Sequence, residues 1–182
     1  MMMTSEVPGE APVHLNEARA WRRLGATVDD AVVAQLVRAA TNICEAFIGQ
    51  WLIERAAEET VPPEGGAIRL GARPVVAVDA VTLLMSDGSA VALDETGHHA
   101  RIGRDGTASI AIHDPGEAVR VRIGYRAGIA AGANGIPEAI RQGIVRMTQH
   151  LHEARDGGGA ASPAAIAALW QPWRRITLGG RR

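Results

Sequence analysis

Six histidines, one cysteine and a scatter of serines are the side chains that could do chemistry in this 182-residue chain, and their spacing argues against each obvious use. His98 and His99 are adjacent, so on a strand they point to opposite faces and cannot both reach one metal ion. His113 is followed by Asp114, and His150 and His152 lie two apart on a helical pattern, again the wrong spacing for one face. Cys44 falls on an apolar helix stripe, and Ser86, Ser89, Ser109 and Ser162 lack the strand-turn-helix context of an activated nucleophile. No catalytic residue, no metal site and no enzyme activity are therefore expected.

All nineteen basic residues are arginine. Without lysine, a P-loop lysine, a Schiff base and a lysine general base are excluded. Gly128, Gly132 and Gly135 match neither the dinucleotide fingerprint nor the phosphate loop, so no cofactor is expected.

Recognition chemistry is concentrated at the C-terminus, in "LWQPWRRITLGGRR". Four Trp, one Tyr and one Phe are the only aromatics, and Trp170 and Trp173 fall within four residues, beside Arg174 and Arg175. Trp buries a large area and Arg makes planar, bidentate contacts, which is why both types dominate binding hot spots. The expected partner surface is Leu169, Trp170, Pro172, Trp173, Arg174, Arg175, Ile176, Arg181 and Arg182. Trp170 has a second option, to cap the core of its own domain. Charge is polarised along the chain: residues 1–60 carry nine acids and five arginines (−4), residues 61–136 eight and seven (−1), residues 137–182 three and seven (+4).

The elements that must position this tail follow from periodicity. Residues 1–13 read as a flexible or extended arm. A short helix runs over "LNEARAWRRLG", with Asn16 as N-cap and Gly25 as stop. A long helix follows, its apolar residues Val32, Val33, Leu36, Val37, Ala40, Ile43, Cys44, Phe47 and Ile48 on one continuous face, with Thr27 and Asp30 as a capping box and Gly49 as C′ glycine. The middle of the chain shortens its period to alternation, with type I′ hairpin turns expected at Asp87-Gly88 and Asp105-Gly106. Pro137 opens another helix, carrying Ile140, Ile144, Met147 and Leu151. After the linker "DGGGAASP" comes a short "PAAIAALW" helix, which Pro172 ends.

The predicted class is α+β: a helical core over 14–56 and 137–156, an inserted small antiparallel β-sheet lobe over 57–136, and a linker with an interaction arm over 157–182. No apolar run is expected to span a bilayer, the start lacks the pattern of a signal peptide, and one cysteine excludes an internal disulfide framework. A reducing compartment is the simplest setting, with synthesis in a cytoplasm.

The order of parts resembles the head-tail connector proteins, or adaptors, of tailed bacteriophages and phage-derived gene transfer agents, from about Leu15 to Ile176. The matching phrases are Phe47-Ile48-Gly49, Ile68 to Val75, Tyr125 to Gly128, Pro137 to Ile144 and Pro172 to Arg175. One departure is arginine in the first helix where the family often shows lysine. The resemblance implies a structural virion protein of the neck, between capsid and tail. Its copies would form a homo-oligomeric ring, usually a dodecamer, under the portal protein, carrying the stopper or other tail-completion protein below. The C-terminal segment would reach the portal, and DNA would pass through the channel without sequence-specific binding; no membrane is implied. Three rivals are another tail-completion protein of the virion neck, a small DNA-binding protein using the Arg-rich tail, and a small metal-dependent enzyme using His98, His99 and His113.

Overall fold

The computed structural model describes residues 2–6, 9–20, 30–63, 66–154 and 163–175. It divides into two compact units, Met1–Pro8 with Glu54–Ile129, and Gly9–Ile53 with Ala130–Arg182. Among the described residues the strands lie in the first and the helices in the second, so the class is α+β as expected.

In the β unit the strands are β1 (Met2–Ser5), β2 (Arg55–Val61), β3 (Ile68–Arg69), β4 (Val75–Leu84), β5 (Ala90–Leu93), β6 (His98–Ile102), β7 (Ala108–Ile112) and β8 (Arg120–Ala127). They form a five-stranded antiparallel sheet of order β1-β2-β8-β4-β5 and a three-stranded sheet of order β3-β7-β6. Alternation in "RVRIGYRA" decides which way central strand β8 faces. Val121, Ile123, Tyr125 and Ala127 are buried, while Arg120, Arg122 and Arg126 face outward. Residues 2–5, read as an arm, instead add edge strand β1, with Met3 opposite Glu59 and Ser5 opposite Ala57.

The two Asp-Gly turns differ from the expected type I′. Gly88 and Gly106 have φ of 86° and 76°, but among the described residues no type other than glycine has a positive φ. Asp87 instead keeps ordinary backbone and its carboxylate accepts from the N–H and hydroxyl of Ser89; Asp105 does the same with Thr107. A short polar side chain that caps its own turn removes the need for a left-handed aspartate, leaving only glycine there.

The helical unit holds α1 (Leu15–Ala20), α2 (Asp30–Ile48), α3 (Glu138–Ala154) and α4 (Ala164–Trp170), with 3-10 turns at Ala133–Gly135 and Gln171–Trp173. The capping box at Thr27 and the stop at Gly25 lie outside the described residues. Val33, Val37, Ala40, Cys44 and Ile48 form the buried stripe of α2, which packs on Ile140, Ile144 and Met147 of α3. Each fully buried Val, Leu or Ile contributes about 1.5–3 kcal/mol. Thr41 and Thr148 sit among these residues because each hydroxyl donates to the carbonyl four residues back, at 2.8 and 2.9 Å. Contrary to the sequence expectation, α2 is long and apolar enough by length and composition to cross a bilayer. Its buried stripe shows that the same composition serves a helix core. Arg141 on α3 reaches Glu17 on α1 at 2.6 Å.

Candidate interaction surface at the C-terminus

The tail is anchored by Trp170, whose side chain is 1% exposed. Its ring lies over Gly143 of α3, where an added Cβ would stand 2.1 Å from Nε1. That indole N–H donates to the Ile140 carbonyl at 3.3 Å, and the ring meets Phe47 at a centroid distance of 5.9 Å. Of the two options for Trp170, the chain takes the core.

Beyond Trp170 the chain turns across the C-terminus of α2. The Arg175 N–H donates to the Ile48 carbonyl at 2.8 Å, satisfying a helix-end carbonyl that would otherwise lack a partner. Gln50 Nε2 donates to the Trp173 carbonyl at 2.6 Å. The Arg174 guanidinium lies over the Phe47 ring, 5.1 Å from its centroid, and a cation there also complements the negative end of the helix dipole. Gly49 allows the crossing twice over: its φ is +69°, and a Cβ would come within 2.8 Å of the Arg175 carbonyl oxygen.

The nine expected surface residues therefore separate. Trp170 is buried, Leu169 and Trp173 are half-buried, and Pro172, Arg174 and Arg175 are exposed. Ile176, Arg181 and Arg182 lie outside the described residues. The arrangement also depends on Phe47, Gly49, Gln50 and Gly143, which the sequence reading did not assign to the site. Phe47 and Gly49 were visible as a phrase; Gln50 meets its partner across 123 residues of sequence, a separation that no local pattern reports.

Elsewhere, the polar groups serve structure. Glu59 is fully buried in the β unit, and its Oε1 accepts from the Tyr125 hydroxyl and, at 2.8 Å, from the Gly71 N–H. The Ala72 N–H donates to the Tyr125 oxygen at 3.1 Å. Burial, and then the bond to Glu59, pushes the Tyr125 hydroxyl above its ordinary pKa. Burial likewise pushes up the Cys44 thiol, which disfavours the nucleophilic thiolate. His98 Nδ1 contacts the Asp94 carbonyl at 2.9 Å, and His113 Nδ1 the Thr96 carbonyl at 2.7 Å, so both rings bind the same turn. Among the described residues no group of three or more His, Cys, Asp or Glu is placed to hold a metal ion. In the glycine-rich connection, Glu10 Oε1 already accepts from the Ala133 N–H at 2.6 Å, putting a carboxylate where a phosphate would need that donor.

No family model and no curated protein matches the sequence. Solved structures that share the fold include three from gene transfer agent particles. A chain from the virion of a native gene transfer agent particle has a TM-score of 0.81 at 23% identity, covering 100% of this chain and 99% of that one. A chain from the neck of the empty particle, computed with C6 symmetry, scores 0.80 at 26% identity. One from the neck of the native particle, computed with C12 symmetry, scores 0.76 at 23%. Both neck matches cover 100% of each chain. Helical unit, β unit and C-terminal segment are thus shared, end to end, with chains of gene transfer agent particles.

Proposed function

We propose that this chain is a structural protein of the virion neck, a head-tail connector (adaptor) whose copies form a ring under the portal and join the capsid to stopper and tail proteins. The observation that carries this reading is the end-to-end match, at 26% identity and a TM-score of 0.80, to a chain of a gene transfer agent neck. The symmetries of the matched necks, C6 and C12, support a homo-oligomeric ring, with twelve copies as the proposed number. DNA passes through the channel without sequence-specific binding, and the chain performs no reaction of its own.

The portal-facing surface is the strap that crosses α2: Leu169, Pro172, Trp173, Arg174 and Arg175, continuing into Ile176, Arg181 and Arg182. Trp170 holds this strap from beneath. Repetition around the ring multiplies a modest affinity per strap, since each further copy binds at high effective concentration after the first.

Electron microscopy of the protein mixed with its cognate portal tests the reading. A ring seated on the portal, with the strap against it, is expected; a chain that leaves the portal bare refutes it. Deletion must start after Arg175, because removing Trp170 would damage the fold as well as the surface.

A further inference from the structure

We infer that the five-stranded sheet is continued from copy to copy, the β5 edge of one subunit pairing in parallel with the β1 edge of the next. This rests on the proposed ring and names the contact that closes it. β1 and β5 are the two edges of one sheet, and each is four residues long. Their sequences, "MMTS" and "AVAL", carry no charge and no proline, two of the devices by which edges are protected from pairing.

Hydrogen-bond alternation shows which groups are open. The Met85 N–H donates to the Ser89 carbonyl, so Ser89 faces β4, and in an antiparallel ladder Ala90 and Ala92 then point their N–H and C=O away from it. At the other edge the Glu6 N–H donates to the Ala56 carbonyl, so Ser5 and Met3 turn theirs away from β2. Every neighbouring pair between the edges is antiparallel, so β1 and β5 run the same way. Rotation about an axis along the strands preserves that direction, which makes the contact a parallel one.

Set flush, the strands place Met2 to Ser5 opposite Ala90 to Leu93. The Met3 N–H then donates to the Ala90 carbonyl, the Ala92 N–H to the Met3 carbonyl, and the Ser5 N–H to the Ala92 carbonyl. In this register Met3 stands beside Val91 on the sheet face that also carries the buried Glu59 and Leu83. Met3 is 45% and Val91 48% exposed in the isolated subunit, and each would cover the other. Because the two edges are different surfaces, the contact is heterologous and repeats until a ring closes, rather than stopping at a dimer.

The test is oxidation of a double variant, Met3→Cys with Val91→Cys, in the full chain incubated with portal. Adjacent strands bring Cα atoms to about 5 Å, within disulfide range. A covalent ladder beyond dimer is expected, with neither single variant giving one. Ala92→Pro removes an N–H that β4 does not use, so it should keep the circular dichroism and melting of the subunit while abolishing rings. Rings visible by microscopy that give no ladder and tolerate Ala92→Pro overturn the strand pairing and leave the connector reading standing. Dimers from Val91→Cys alone would show β5 pairing with itself, overturning it too. Absence of any ring with portal removes both readings.

Discussion

Trp170 occupies the space that a side chain at position 143 would need, its Nε1 lying 2.1 Å from the site of a Gly143 Cβ. Helix propensity favours alanine over glycine by about 1 kcal/mol, but overpacking a buried contact costs about 1–3 kcal/mol. Gly143→Ala is therefore expected to lower stability despite the better helix former, by about 1 kcal/mol net, measurable in urea unfolding. Trp170→Ala should cost about 3–5 kcal/mol. Stability unchanged in both variants would mean that α4 is not docked on α3.

Gly49 is the second backbone requirement. Gly49→Ala meets both a left-handed φ of +69° and the Arg175 carbonyl, and should destabilise by about 1–2 kcal/mol. It should also loosen the strap, seen as altered Trp fluorescence that a control alanine at exposed Gly66 does not produce.

Arg174 separates folding from docking. Its stacking on Phe47 is exposed to water and is worth about 0.5–1 kcal/mol, so Arg174→Ala should leave melting nearly unchanged. Portal binding, measured by co-sedimentation, should fall strongly because the loss repeats in every copy. Arg174→Lys should recover less than full binding, since an ammonium cannot stack or fork as a guanidinium does.

The Tyr125–Glu59 pair predicts an alkaline limit. The folded hydroxyl titrates well above its ordinary value of 10.0, and the neutral form is the one that donates to Glu59. A raised folded pKa means that this contribution is complete below the unfolded pKa and is lost as pH rises through the folded one. Stability should therefore decline above about pH 10, and Tyr125→Phe should remove that part of the decline. At neutral pH the same variant should cost about 1–3 kcal/mol, because the Ala72 N–H and Glu59 Oε1 each lose a buried partner. A wild-type curve and a Phe curve that run parallel from pH 8 to 11 would contradict this.

Features legible along the chain are those that short-range physics encodes. The period of α2, the alternation of β8, the C-terminal glycine of α2 and the helix start at Pro137 depend only on neighbours within a turn or two, and the composition alone excluded lysine chemistry. Meetings across long sequence separations, by contrast, exist only in the folded chain. Met2–Ser5 looks featureless until β2 offers an edge, and Trp170 could face in or out until Gly143 leaves it room. Gln50 and Ile48 gain roles only when residues 173 and 175 arrive. Burial and backbone pairing are satisfied in three dimensions, so one pattern of residues is consistent with an arm, a core plug or a strap until the surface it meets exists.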